Sequence, residues 1–353
     1  MKKLLLLSLS LLLCFTLSSC GGSHSISGEV VEAAPAALVL ETDEGKRVAV
    51  LLEESIYVFG MDEIDGDDYK AAPHTGVRVF FSYQEPAGSI TTADGQQVDA
   101  YHADRTIHIN AYLVPGAAVL SDGTILDAWK EGPSDLTYQT RDGVTLLREN
   151  GPNGPENYYI AGLESFDDLS EAAKPKVAGY YEQQGALYDI QAELERAWTV
   201  YQGDAETFSP FVVRQDTSPS ASGEQIFYFR TDLTTTIRGN TVEETTLCAA
   251  FDRETGDDIP LEDLFTCPKE DIGRILLDLA EKDGTGLSAP SLKAEMEAAF
   301  QLEYLYFSQD HLMLQFPQGT LPSQEHTHLV SVKFNDDCKQ ILHPWAVPSL
   351  ITQ

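Results

Sequence analysis

Basic residues are scarce in this chain: 23 Lys and Arg stand against 56 Asp and Glu, a formal net charge of −33. A surface so poor in cations has little with which to displace counterions from phosphates, which excludes nucleic acid as a partner. It also repels anionic lipid headgroups. Long apolar runs are absent after Leu17, so nothing downstream approaches the roughly 20 residues a membrane-spanning helix needs. The local motifs of several enzyme classes are missing as well. There is no His-Glu-x-x-His, no Gly-x-Ser-x-Gly elbow, no Gly-Lys-Ser/Thr phosphate loop and no alternating Asp loop for calcium. No catalytic residue, metal ligand set or cofactor is therefore assigned. Cysteine is sparse too, with five in all.

The N-terminus is the most informative stretch. Met1-Lys2-Lys3 precedes an apolar run from Leu4 to Leu17, the layout of a signal peptide over residues 1–19. The run closes on Leu17-Ser18-Ser19-Cys20, which resembles the bacterial lipobox: an aliphatic residue, two small ones, and the cysteine that receives lipid. That resemblance implies cleavage before Cys20, diacylglycerol and palmitate on it, and a body held at the extracytoplasmic face of the cell membrane by its acyl chains alone. Residues 20–25, with Gly21-Gly22-Ser23, read as a flexible tether. Loss of Lys2 and Lys3 with the leader leaves 21 basic against 56 acidic groups, a mature charge of −35.

Cys14 leaves with the leader and Cys20 is acylated. Cys248, Cys267 and Cys338 remain, an odd number that permits one disulfide at most. Buried thiols and one unassigned pair are both compatible with that count. With 42% hydrophobic and 22% charged residues, the composition is that of a folded globular body, and the length suits two or three domains.

The expected fold class is α+β: an N-terminal small OB-like β-barrel, a hairpin-rich connector, and a C-terminal antiparallel sheet with packed helices. Residues 26–113 read as five strands, at Ile26–Ala33, Ala36–Thr42, Arg47–Leu52, Val77–Tyr83 and Val98–Ile109. Residues 114–160 carry two Asp-Gly turns, Asp122-Gly123 and Asp142-Gly143, each between strand-like flanks. In 161–353 the period changes. Val177, Tyr180 and Tyr181 mark one helix, and Leu187, Ile190, Leu194, Ala197, Trp198 and Tyr201 a second over 186–202, broken from the first near Gly185. The tyrosines are either core or a surface for sugar faces.

Strands are expected at Phe211–Arg214, Gln225–Ile237 and Val242–Phe251. The segment AAFDRETGDDIPLEDLF, Ala249 to Phe265, then joins a strand to a Thr-Gly turn and a helix entry. A helix over 268–282, a second from Pro290, the hairpin YLYFSQDHLMLQF and the strand HTHLVSVKF complete the order. From Phe211 to Ile341 this order resembles an extracytoplasmic domain of lysozyme-sensing anti-sigma factors and of the non-catalytic part of some peptidoglycan deacetylases. In that family the loop after the hairpin carries an aromatic-Pro-Tyr segment, where ligand contacts are expected. Here the loop reads PQGTLPSQEHTH, so Pro317, Gln324, Glu325, His326 and His328 are the candidate ligand-binding residues while lysozyme recognition itself does not carry over. The cytoplasmic sigma-binding part and the deacetylase motifs are absent.

His326 and His328 share a face with Val330, Val332 and Phe334, either as ligands at the rim of a core or as its polar margin. Asp62, Glu63, Asp65, Asp67 and Asp68 form the densest acidic cluster, which reads as a solvated loop. Together these features describe a non-enzymatic extracytoplasmic lipoprotein, a ligand-binding or sensing module of the bacterial cell envelope. Its expected partners are the membrane through the anchor, and a cationic protein or cell-wall glycan. The alternatives are an envelope glycan hydrolase with dispersed carboxylates and a scaffold subunit of a surface assembly.

Overall fold

A computed structural model describes residues 24–53, 56–60, 74–284, 290–322 and 326–349. Residues 1–23 with the expected signal peptide and Cys20, the cluster from Asp62 to Asp68, and Gln324 and Glu325 lie outside the described residues. No helix among the described residues is long and apolar enough to cross a membrane. The chain divides into two compact units, 1–116 with 127–133, and 117–126 with 134–353. It is a mixed α/β protein, mostly sheet with a few helices.

The first unit is built from β1 (His24–Ala34), β2 (Ala37–Glu41), β3 (Arg47–Leu51), β4 (Tyr57–Phe59), β5 (Val77–Tyr83), β6 (Pro86–Thr91) and β7 (Gln97–His102), with most of β8 (Thr106–Val119). β1 pairs antiparallel with β2 and with β5; β2 pairs with β3, β6 with β7, and β5 with β8. β3 lies parallel to β7, and β4 parallel to β8. The turn between β2 and β3 is closed by Gly45 N–H donating to Thr42 O at 2.8 Å, with Gly45 at φ 72°, a conformation glycine adopts without penalty. Alternation sends Val77, Val79 and Phe81 inward, where they meet Val30, Leu38, Leu40, Val50 and Ile107 in one core.

This unit departs from the expected barrel. Its hydrogen bonds run as an open path, β8-β5-β1-β2-β3-β7-β6. The reason lies at 103–105, where the chain leaves the strand conformation and Arg105 takes φ 143°. The single strand expected over 98–109 is thus two: β7 carries the ladder to β3, and β8 the ladder to β5. β8 also continues to Val119, beyond Ile109 where the strand was expected to end, and β4 and β6 are strands that periodicity did not reveal.

β9 (Ile125–Lys130), like β8, crosses the division between the units. The turn before β9 is closed by Gly123 N–H to Leu120 O and the turn after β10 by Gly143 N–H to Thr140 O, each at 2.9 Å, at the two expected Asp-Gly pairs. The sheet of the second unit runs β10 (Asp135–Thr140), β11 (Thr145–Asn153), β12 (Phe211–Ser222), β13 (Ile226–Ile237), β14 (Asn240–Asp252) and β15 (Asp258–Ile259) in that order. All neighbours are antiparallel except β11 and β12, which are parallel. Parallel neighbours need a crossover, commonly helical. It is supplied by α1 (Lys174–Gln184) and α2 (Ile190–Gly203). The helix expected from 186 starts later because the Asp189 side chain accepts from Ala192 N–H at 3.1 Å and so caps it there, while Gly185 at φ 61° ends α1.

Successive residues of β13 serve opposite faces of this sheet. Phe227 and Phe229, with Phe251 of β14, pack against Ala173, Val177 and Tyr181 on the α1 side. Ile226 and Tyr228, with Ala250, pack on the other side against α3 (Lys269–Lys282), α4 (Pro290–Ala299) and a second sheet, β16 (Leu305–Phe307), β17 (His311–Phe316) and β18 (His328–Lys333). α3 turns Ile272, Leu276 and Ala280 inward at helical spacing. α5 (Asp336–Gln340) buries Cys338 in the same core. The Thr-Gly turn of the quoted motif has a steric reason for its glycine. Gly256 sits at φ 73°, and a Cβ there would stand under 3.0 Å from the backbone of Ala173. Cys248, Cys267 and Cys338 are all free thiols.

Candidate functional site

The parallel pair β11–β12 slips register between Asn150 and Asn153. Gly151 lies in that slip at φ 109°, and a Cβ there would collide with Gln215 O on β12, so only glycine lets the strands close. Beyond the slip the chain turns away through Pro155–Asn157, and a cleft of ≈ 290 Å³ opens between the end of β11, α1 and β12. Gly154, Glu156, Ala178, Tyr181, Glu182 and Thr217 are among the residues lining it.

The cleft's surroundings are stiffened by polar contacts. The Gln215 side chain accepts from Leu187 N–H at 2.8 Å and donates to Gly185 O at 2.9 Å. Thr217 and Thr231 share a hydrogen bond at 2.9 Å between their hydroxyls. Glu149 accepts from Tyr138 at 3.0 Å, and the single Tyr188 hydroxyl proton is shared between Glu149 at 2.6 Å and Gly151 O at 2.8 Å. Burial, with the Glu149 carboxylate beside them, raises both phenols above their ordinary range. Asp216 accepts from Tyr158, from Asn153 and from Arg214.

Tyr181 is the exception. Its ring lies against Tyr180, Phe229 and Phe251, and the residue is only 8% exposed. Burial pushes its hydroxyl far above the usual tyrosine value, yet that hydroxyl has no hydrogen-bond partner. The buried Oε1 of Gln184, at the end of the same helix, also lacks one. A buried polar atom without a partner costs about 1–3 kcal/mol; Trp129 Nε1 and Ser220 Oγ are buried without one as well. Glu156 and Glu182, by contrast, are exposed.

The loop proposed from sequence lies elsewhere. Pro317 O accepts from Thr320 N–H at 3.1 Å and from its hydroxyl at 2.7 Å, closing a turn with Gly319 at φ 82°. Leu321 is 3% exposed and anchored in the core beneath, and Thr327 donates to Glu244 O at 3.1 Å. His326 is exposed, and His328 is half-buried at the start of β18 opposite Phe316. None of these residues lines the cleft. Among the described residues, no group of three His, Cys, Asp or Glu side chains could hold a metal ion. The cleft was missed because its key residue sits in an aromatic stripe that reads equally well as core. The available signal was Gly151 and Pro152 in an otherwise strand-like run.

A hollow of ≈ 540 Å³ in the first unit is lined by Glu29, His74 and Tyr112, among others. Burial raises the Glu29 carboxyl, the Arg78 charge lowers it and the Glu41 carboxylate raises it. Glu29 stands opposite Glu41 across the β1–β2 ladder.

No family description matches this chain, and no curated protein does. Among solved structures it is similar to a member of the DUF3298 family from Bacteroides fragilis, with 12% identity over 66% of this chain and 92% of that one, at a TM-score of 0.32. It is likewise similar to a DUF3298 family protein from Pseudomonas aeruginosa, with 11% identity over 68% of this chain and 94% of that one, at a TM-score of 0.31.

Proposed function

We propose that this protein is a lipid-anchored module of the bacterial cell envelope that binds a polar ligand in the cleft between β11, α1 and β12, and that it is not an enzyme. The observation that carries the reading is the cleft itself, opened where β11 slips register against β12 and lined by polar and acidic side chains. Acid catalysis on a glycan needs one carboxyl held neutral by its surroundings, and the exposure of Glu156 and Glu182 favours binding instead.

The anchor rests on the Leu17-to-Cys20 box, and the extracytoplasmic location follows from it. For the first unit, an OB-like reading is supported by two features. All the strands β1 to β5, β7 and β8 contribute to one core, and Tyr83 of β5 meets Tyr101 of β7 with ring centroids at 4.5 Å although those strands share no ladder. The resemblance of 211–341 to anti-sigma-factor ectodomains agrees with a sensing role.

Calorimetric titration of the full chain in nanodiscs with soluble cell-wall glycan fragments tests the binding. Ala178→Trp should fill the cleft and abolish saturable uptake without changing the melt, and a variant that binds like the parent would overturn the proposed site. Labelling with a radioactive fatty acid tests the anchor, since label retained by Cys20→Ala would exclude it.

A second reading, glycan hydrolysis, is favoured by Glu29 alone, a carboxyl raised by burial and facing another across a ladder. Reducing ends released by the parent and not by Glu29→Gln would establish it, and none from either would remove it.

A further inference from the structure

A second groove, independent of the cleft proposed above, crosses the turn that joins β12 to β13, residues 223–225. The turn is fastened on both flanks. On one, Ser349 N–H donates to Ser222 O at 3.0 Å, and the Gln309 side chain accepts from Ser222 N–H at 3.3 Å and donates to Ser349 O at 2.5 Å. On the other, Arg253 donates from its backbone to Gln225 O at 2.9 Å and from its guanidinium to Gly223 O at 3.3 Å, while Glu164 holds that guanidinium at two points. A hollow opens beside each flank, one of ≈ 420 Å³ with Pro344, Trp345 and Val347 in its lining, the other of ≈ 550 Å³ with Asp168, Asp252, Arg253 and Glu254. Glu224 and Gln225 line both, so the two hollows form one groove across the turn, with walls already fixed.

The two ends of the groove differ in chemistry. At one, the half-buried Trp345 indole lies 7° from parallel to the His343 ring, with centroids at 5.6 Å, and packs against the core. With Pro344 and Val347 it gives a fixed apolar wall, suited to the flat face of a ring. In the middle, the exposed Glu224 carboxylate and Gln225 amide have no partner among the described residues. A carboxylate only accepts hydrogen bonds, whereas an amide both accepts and donates. Hydroxyls answer both groups, while an ammonium or guanidinium donates only and leaves the amide N–H groups unmet. Sugars that carry carboxylates are repelled by Asp168, Glu224, Asp252 and Glu254, and the Arg253 guanidinium at the lining is already committed to Glu164. Cell-wall fragments with lactyl carboxylates therefore stay out of this groove. Each hollow falls within the roughly 300–1,000 Å³ of ligand sites, and two that share a wall suit a chain better than a single unit. We propose that the groove binds a neutral glycan chain of two or more pyranose units, one ring lying on the Trp345 indole and the next bonding its hydroxyls to Glu224 and Gln225.

The test titrates neutral hexamers of glucose and of mannose, hexagalacturonate and hexalysine calorimetrically into the full chain in nanodiscs, each at low and at high salt. A neutral hexamer should bind saturably at both salt concentrations, and hexagalacturonate about tenfold more weakly or worse. Trp345→Ala should weaken the neutral hexamer about tenfold. The pair Glu224→Ala and Gln225→Ala should weaken it several-fold with the melt unchanged, since both side chains are exposed. Trp345→Phe keeps a ring at the wall, so binding should persist with a smaller loss. The change in tryptophan emission on binding should vanish in that variant, because neither Trp129 nor Trp198 lines the groove. Ala178→Trp should leave this uptake intact, which separates the groove from the cleft. Absence of saturable uptake of every neutral hexamer, or uptake unchanged in Trp345→Ala and in the double variant, would overturn the groove whatever the cleft binds. Uptake lost only in Ala178→Trp would place the ligand in the cleft and remove the groove. Hexalysine bound at high salt and lost in the groove variants would make this a site for a basic peptide and overturn the glycan. Hexagalacturonate bound as tightly as the neutral chains would overturn the exclusion of charged sugars.

Discussion

The two faces of the second unit's sheet each bury a tyrosine, and the two are treated differently. Tyr228 stacks on Phe307 with centroids 4.2 Å apart, and its hydroxyl donates to Ala346 O at 2.6 Å. Tyr181, on the α1 side, is packed by aromatic rings as closely but leaves its hydroxyl unpaired. Burial raises both phenols well above their ordinary value. The difference lies in what surrounds the polar tip. Around Tyr228, α3, α4 and the β16–β18 sheet close a continuous core that supplies a carbonyl. Beside Tyr181 the register slip of β11 opens a cleft and supplies nothing. One face gives its buried phenol a partner, and the other does not.

The largest effect expected from this contrast is on the closed face. Leu276→Ala removes a side chain with no solvent exposure from the core that α3 shares with the small sheet. It should lower unfolding free energy by about 2–5 kcal/mol, measured by urea denaturation. On the cleft face, the demand falls on the backbone. Gly151→Ala should cost about 2 kcal/mol or more, because it adds a Cβ at positive φ against Gln215 O. It should also reduce ligand uptake by spreading β11 from β12.

The sharpest comparison is smaller in energy. Tyr228→Phe leaves Ala346 O without its donor and should destabilise by about 1–2 kcal/mol. Tyr181→Phe removes an unsatisfied buried hydroxyl and should leave stability level or raise it by up to about 1 kcal/mol. Equal losses from the two substitutions, read from paired denaturant melts, would erase the distinction between the faces.

The smallest expected effect is a pH slope. Burial pushes the Cys338 thiol from an ordinary 9.0 up to about 12. The unfolded chain therefore loses its proton first, so this thiol's contribution to stability is complete below pH 9.0 and is lost as pH rises toward about 12. Cys338→Ala should lower stability at neutral pH and flatten that alkaline decline, which melts at stepped pH would register.

Much of the element order was legible from pattern. The hairpin turns at Gly123 and Gly143 follow from Asp-Gly pairs, and α2 follows from Ile190, Leu194 and Ala197 recurring at helical spacing. Less legible was β12. It was expected to end at Arg214 and runs to Ser222, because Gln215, Thr217, Ser218, Ser220 and Ser222 are buried although polar. Hydropathy alone does not assign such residues to a sheet interior, since their burial depends on partners such as Thr231 on β13. The break at 103–105 escaped for a related reason, as Arg105 at positive φ carries no compositional mark.

What the sequence determined by itself was local and periodic: acidity, turn positions, and which helix faces are apolar. These depend on residues within a few positions of one another, or on sums over the chain. Tertiary structure alone decided that β11 and β12 lie parallel, that Gly151 meets Gln215 across some sixty residues of chain, and that a tyrosine of the aromatic stripe ends beside a cleft. The physical reason is that a hydrogen-bond partner, or the want of one, is a property of the space around an atom. Tyr181 and Tyr228 are the same residue in sequence, and only their neighbours in the fold give one hydroxyl a partner and leave the other without one.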